Sequence, residues 1–205
     1  IGNSYEILVG VNQFFWGVTE ARNLVNIINQ IDEVEDIDEE DYLGQTMVNI
    51  ATLQKCGHLS IYIMTGFRVR TFPGSDGRFS GEPLIDPSQT EYESSFEAWQ
   101  PDIAFRYSQV IGEMELGISI FHGTGREPRF IETIDRNSVV PHYDIITQIG
   151  LDFQWTKNNW LLKLESIAGW SQGRTFGAFV GGFEYTFFQV FGSNIDFGLI
   201  SELFY

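Results

Sequence analysis

Arg68, Arg70 and Arg106 are the cations whose spacing suggests a shared task. In an extended chain, residues two apart project from one face. Arg68 and Arg70 therefore share a side of one alternating run, and Arg106 takes the same side of the next. A row of guanidiniums on a polar wall attracts anions and orients dipolar solutes. Asp102 and Glu115 are the carboxylates placed to pair with them, and Lys163 and Glu165 hold the same polar parity further on. Asp32, Glu33 and Asp36 open an acidic run that reaches Asp41. Folded inward, the Asn23–Asp41 stretch would narrow a pore and set these acids across from the arginines; folded outward, it would be a solvated loop. Asp36, Asp38 and Asp41 lack the glycine and the spacing of an EF-hand loop, so no metal site is expected. His58, His122 and His142 have no diagnostic spacing to a partner such as Ser138 or Asp144. Gly123-Thr124-Gly125 precedes no helix, as a phosphate cradle would require. Neither catalysis nor a cofactor is expected.

The elements that must position these residues are strands. Phe179, Gly181, Phe183, Tyr185 and Phe187 alternate with Ala178, Val180, Gly182, Glu184 and Thr186. After a break at Phe191–Asn194, Phe197, Leu199, Ser201, Leu203 and Tyr205 alternate with Asp196, Gly198, Ile200 and Glu202. This is the period of a β-hairpin. Seven earlier runs read the same way: Tyr5–Trp16, Thr46–Gln54, His58–Arg70, Trp99–Gln109, Glu113–His122, Tyr143–Trp155 and Trp160–Gln172. Leu24, Ile27, Ile28 and Ile31, between the first two runs, have helix-like spacing.

The connections alternate long and short, with long ones at 17–45, 71–96 and 123–141 and a moderate one around Gly173. The expectation is an all-β, antiparallel, up-and-down meander of about nine strands with its large loops at one end. One face carries Phe, Tyr and aliphatics; the other mixes glycine with acids. That suits a wall with lipid on one side and water on the other, a transmembrane β-barrel. Tyr5, Trp16, Trp99, Tyr107, Tyr143, Trp155, Trp160 and Trp170 fall near strand ends, where an interfacial aromatic girdle would sit.

The formal charge of -16 argues against nucleic acid as a partner. The single cysteine, Cys56, allows no internal disulfide. No apolar run approaches the ~18 residues of a membrane-spanning helix.

Phe14-Phe15-Trp16-Gly17-Val18-Thr19-Glu20, Leu24-Val25-Asn26-Ile27-Ile28-Asn29-Gln30 and Arg70-Thr71-Phe72-Pro73-Gly74 carry a resemblance to porin-like outer-membrane β-barrels of proteobacteria. The resemblance implies a passive diffusion channel and supplies no catalytic residues. It places the chain in the bacterial outer membrane, among lipid and lipopolysaccharide. Small hydrophilic solutes, anionic ones included, are then what passes, and a homo-oligomer is an expected assembly. Nine strands are odd where bacterial barrels are even, and Tyr205 lies within an alternating run, so residues 1–205 read as a single segment of a larger barrel. Two other classes fit less of the pattern: a soluble all-β carbohydrate-binding module, and an outer-membrane barrel hydrolase. The loop asymmetry predicts that epitope tags inserted at Asp76 and Asn137 label on intact cells while tags at Gly112 and Asn158 do not. Labelling at Gly112 with silence at Asn137 would invert the topology.

Overall fold

Alternating side chains build almost the whole protein. The computed structural model describes residues 4–34, 41–74, 83–133 and 138–205. In chain order the strands are β1 (Ser4–Asn12), β2 (Gln30–Ile31), β3 (Tyr42–Leu43), β4 (Gln45–Gln54), β5 (Gly57–Met64), β6 (Leu84–Ile85), β7 (Glu91–Tyr92) and β8 (Asp102–Ile111). They continue as β9 (Met114–Thr124), β10 (Arg129–Glu132), β11 (Ser138–Tyr143), β12 (Ile145–Lys157), β13 (Trp160–Ser171), β14 (Arg174–Phe187) and β15 (Phe197–Phe204). Nine of them form one sheet in the order β1-β4-β5-β8-β9-β12-β13-β14-β15. Every neighbouring pair is antiparallel. The fold is therefore an all-β meander whose neighbours in space are neighbours in sequence. Among the described residues no ladder joins β1 to β15. Asp36, Asp38, Asp76 and Asn137 lie outside the described residues.

The two faces differ in chemistry. On one face every long strand shows apolar side chains to the outside: Val9 on β1, Ile50 on β4, Ile63 on β5, Phe105 on β8, Ile120 on β9, Ile149 on β12, Leu164 on β13, Phe179 on β14 and Leu203 on β15 are all exposed. The opposite face is largely buried from β4 to β13, and it is where the polar residues are: Asn49, Ser60, Asp102, Ser119, Gln148, Asp152, Lys163 and Glu165. The core lies on that polar face. Trp16, Val25, Ile27 and Ile28 pack there against Met47, Tyr62, Met64, Ala104 and Phe121.

That packing requires curvature. Trp16 meets the Tyr62 ring of β5 at 5.4 Å between centroids, and the Glu20 N–H donates to Glu202 of β15 at 2.9 Å. In a flat sheet β5 and β15, six strand spacings apart, would be separated by roughly 29 Å. The backbone from residue 16 to 20 spans at most about 14 Å, and side chains standing perpendicular to a sheet add little lateral reach. The sheet therefore curls around residues 14–29, with the apolar face outward.

Several boundaries differ from expectation. The first long strand stops at Asn12, not Trp16, and the third at Met64, not Arg70. Leu24–Ile31 forms no helix: Val25 and Ile28 are buried, and the Val25 and Ile31 N–H groups donate to the side chains of Glu165 and Gln30. The long loops carry small strands of their own, with β10, β11, β6 and β7 joined in a four-stranded sheet. The last two connections reverse in length. Residues 172–173 make a two-residue turn with Gln172 and Gly173 at φ 49° and 71°, the type I′ signature; glutamine gave no hint of it. The β14–β15 connection is longer, holding a 3-10 turn at Val190–Gly192.

Trp16 and Tyr143 are buried inside rather than displayed in a girdle, whereas Tyr5, Trp99, Trp160 and Trp170 are exposed. At the short-turn end Trp160, Tyr185, Phe187 and Phe197 form a chain of ring contacts across β13, β14 and β15.

Gly182 tests the strand packing. A Cβ there would lie 2.1 Å from the Ser201 carbonyl oxygen of β15, while one on Gly198 would meet nothing within 4 Å. Gly182→Val should lower stability by about 1–3 kcal/mol through overpacking, and Gly198→Ala should leave the melting temperature unchanged. Equal melting temperatures for the two variants would contradict this register.

Candidate functional site

The segment leaving β1 does not continue the sheet, because its own asparagines offer the backbone other partners. The Asn29 side chain accepts from the Phe14 N–H at 2.8 Å and donates to the carbonyls of Asn12 and Leu43 at 3.0 and 2.9 Å. Asn26 Oδ1 accepts from the Trp16 N–H at 3.1 Å. These bonds close the neck of a loop that turns onto the polar face.

Two carboxylates on the sheet hold the tip of that loop. Glu165 of β13 is fully buried. Its Oε1 accepts from the Val18 N–H, the Thr19 N–H and the Thr19 hydroxyl at 2.7, 3.1 and 2.8 Å, and its Oε2 from the Val25 N–H at 3.1 Å. A carboxylate with four donors is a charge-assisted cradle, and such bonds are roughly twice as strong as neutral ones. Glu202 of β15 accepts from the Glu20 and Ala21 N–H groups at 2.9 and 2.7 Å. Lys163 Nζ, one step along β13, lies 2.5 Å from Glu20 and also pairs with Glu184 of β14. The segment is thus clamped at mid-depth, since Lys163 and Glu165 are near the middle of β13.

The expected row of arginines does not form. Arg68 and Arg70 lie beyond the end of β5, outside the ladder that joins it to Arg106 on β8. Arg68 is exposed and donates to the Gly44 carbonyl at 3.2 Å. Arg70 is buried and pairs with Glu33 at 2.8 Å and Glu127 at 3.3 Å. Arg106 is held by both oxygens of Asp152 on β12, each at 2.8 Å, and lies 5.0 Å over the Trp16 ring. The partners expected for it, Asp102 and Glu115, are not the ones used. Asp102 instead takes Arg126 at 2.8 Å, whose guanidinium sits 5.2 Å from both the Phe67 and Phe121 rings. Glu115 is exposed near the turn between β8 and β9. Asp32 accepts from the Thr71 hydroxyl at 2.5 Å.

Asp152 and Arg126 were not singled out from sequence. Asp152 holds the polar parity of its strand, and the signal was Gly117 opposite it: a Cβ at Gly117 would lie 2.2 Å from Asp152 Oδ2. The absent side chain makes room for the carboxylate. Of the histidines, His122 bonds the Thr147 hydroxyl at 2.8 Å and His142 lies 3.1 Å from Asp144. No hydrogen bond joins His122 to His142 among the described residues.

Two cavities flank the clamped segment. One, of about 600 Å³, opens toward the long-loop end and is lined by residues such as Asn26, Arg70, Ile146 and Phe176. The other, of about 440 Å³, reaches Gln154 and Lys163. Glu20, Asn23 and Tyr42 line both, so the turn at residues 17–23 is the partition. Comparison of the chain with protein-family models, with curated proteins and with solved structures returned no match.

Tyr143 anchors the long-loop end over these cavities. Its ring packs edge-on against Phe67 at 4.7 Å, and its hydroxyl accepts from the Arg70 N–H at 3.1 Å. Burial pushes its phenol up to about 12. The folded state then keeps a proton that the unfolded state loses above its ordinary value near 10, so stability is full below pH 10 and falls as pH rises toward about 12. The loss is on the order of 2 kcal/mol. Burial also raises Tyr92. Melting temperature measured across this window should fall more steeply for the parent than for Tyr143→Phe; parallel curves would contradict the burial argument.

Proposed function

We propose that the chain is part of the wall, and the internal constriction, of a transmembrane β-barrel of outer-membrane type that lets small hydrophilic solutes diffuse passively. The partition at residues 17–23, with a cavity on each side of it and its chain tied to the buried Glu165 by four hydrogen bonds from Val18, Thr19 and Val25, carries this reading. An enclosed core would fill that space with apolar side chains.

The outward face supports the lipid side of the proposal. All nine long strands present exposed aliphatic or aromatic groups there, far beyond the scattered apolar residues of an ordinary soluble surface. The strands are 8–14 residues long, and a tilted span needs about 9–11. The resemblance to porin-like barrels of proteobacteria points the same way. On this reading the edges of β1 and β15 meet further strands, because an unpaired edge is not viable in hydrocarbon. The charges at the narrow point give no support to a preference for anions. Arg70, Arg106 and Arg126 are each committed to a carboxylate, and the Lys163 ammonium is paired with both Glu20 and Glu184.

Glu165→Gln tests the partition. The carboxamide turns one acceptor toward donors into a donor, so the tip of the loop loses its cradle while the strand keeps its shape. In planar lipid bilayers the complete barrel, with the strands that pair β1 and β15, should conduct in small steps, and Glu165→Gln combined with Glu202→Gln should raise its conductance severalfold. Silence of the parent and the variant alike, together with a monodisperse protein in detergent-free buffer, would sink the channel reading.

A further inference from the structure

We infer that the β14–β15 connection, residues 188–196, is an interfacial anchor that sets Phe188, Phe191 and Ile195 among neutral lipid headgroups at the short-turn end. The inference rests on the reading of the outward face as lipid-facing and extends it to a segment outside the strands.

This connection differs from its neighbours. The other turns at the same end are two residues long and mostly polar or small: Lys55-Cys56, Gly112-Glu113 and Asn158-Asn159. Two residues suffice to reverse a hairpin. Residues 188–196 are longer than reversal needs, and the added positions include large apolar groups. Phe191 is completely exposed, and Phe188 and Ile195 are 60% and 68% exposed. They lie beyond Phe187–Phe197, the last rung of the β14–β15 ladder.

A built turn holds these side chains out. The Val190 N–H donates to the Ile195 carbonyl at 2.9 Å. The Ser193 hydroxyl donates to the Val190 carbonyl at 2.7 Å and accepts from the Ile195 N–H at 3.1 Å. Asp196 Oδ1 accepts from the Gln189 N–H at 2.9 Å. Within this frame Gln189 and Phe191 are left-handed, with φ 48° and 56°. A β-carbon disfavours that region, and for a bulky residue it is an outlier. Such strain persists where the surroundings over-determine it, and it concentrates at working segments.

Position and charge name the occupant. Phe187 and Phe197 stand at the foot of the loop with their rings 6.0 Å apart, and ring contacts run on through Tyr185 to Trp160. The loop therefore continues the aromatic end of the outward face. The Thr186 N–H donates to the Asn159 carbonyl at 3.0 Å, which fixes that foot to the β12–β13 turn. Anionic headgroups are recruited by Lys and Arg, and residues 188–196 hold neither. Their one charged residue, Asp196, is engaged within the turn. Attachment then comes from apolar area entering the boundary between headgroups and acyl chains.

Spin labelling of the complete barrel in phosphatidylcholine bilayers tests this, in a Cys56→Ser background. Single labels at Asn194, in the loop, and at Lys157, beside the polar β12–β13 turn, are compared with one at Ile149 on the outward face. The label at 194 should be severalfold less accessible to a water-soluble nickel chelate than the label at 157. Phe188→Ser, Phe191→Ser and Ile195→Ser together should raise it to the level at 157 and leave 149 unchanged, and Phe191→Ser alone should give part of that rise. Equal access at 194 and 157, with 149 still shielded, would overturn the anchor and spare the lipid-facing reading. Free access at 149 would remove both. A shielded 194 that neither variant changes would also overturn the anchor, because another part of the protein would then cover the loop.

Discussion

The buried carboxylate of Glu165 is the interaction on which the interior depends. It sits on a strand, yet every hydrogen bond it accepts comes from a loop that left the sheet about 140 residues earlier in the chain. A buried charge is tolerated only when fully bonded, and here the backbone N–H groups of Val18, Thr19 and Val25 provide the bonding. The loop needs the carboxylate equally, because those N–H groups would otherwise be buried without acceptors. Each side satisfies the other, and the segment is held against the sheet at Glu165. Around it, Arg106–Asp152 ties β8 to β12 across β9, and Arg126–Asp102 ties the segment after β9 to β8.

This arrangement inverts an ordinary sandwich. In a soluble sheet the inward face is apolar and the outward face polar. Here the inward face is polar and bonded, and the outward face is aliphatic and aromatic. The small apolar core comes from the loop, through Trp16, Val25 and Ile28, and not from a second sheet. A curled sheet with a polar interior leaves room for cavities, which is why the partition has space on both sides.

The strands were legible in the sequence because period-two alternation is a local signal. The faces assigned to Leu199, Ser201 and Leu203 against Gly198, Ile200 and Glu202 hold in the structure, through their pairing with Tyr185, Phe183 and Gly181. Ion-pair partners were not legible, because parity gives a face but not a register. Arg106 met Asp152 two strands away, across a glycine, and nothing local pointed there. Extending the third strand to Arg70 failed for a different reason: Phe67 and Val69 continue the alternation, but Phe67 turns into an aromatic cluster with Tyr92 and Tyr143 that lie far along the chain. The inward fold of residues 14–29 was hidden because its hydrogen bonds run to side chains, a pattern with no period.

The central claim is that the apolar face meets lipid while the polar face encloses water. Site-directed spin labelling measures this directly. With the exposed Cys56 first changed to serine, single labels are placed at Ile149, on the outward face of β12, and at Gln154, which lines the smaller cavity from the same strand. In reconstituted bilayers the account predicts that the label at 149 collides with oxygen, which concentrates in lipid, and is shielded from a water-soluble nickel chelate. The label at 154 should show the reverse. Equal access of the nickel chelate to both positions, or greater access at 149, would contradict the account.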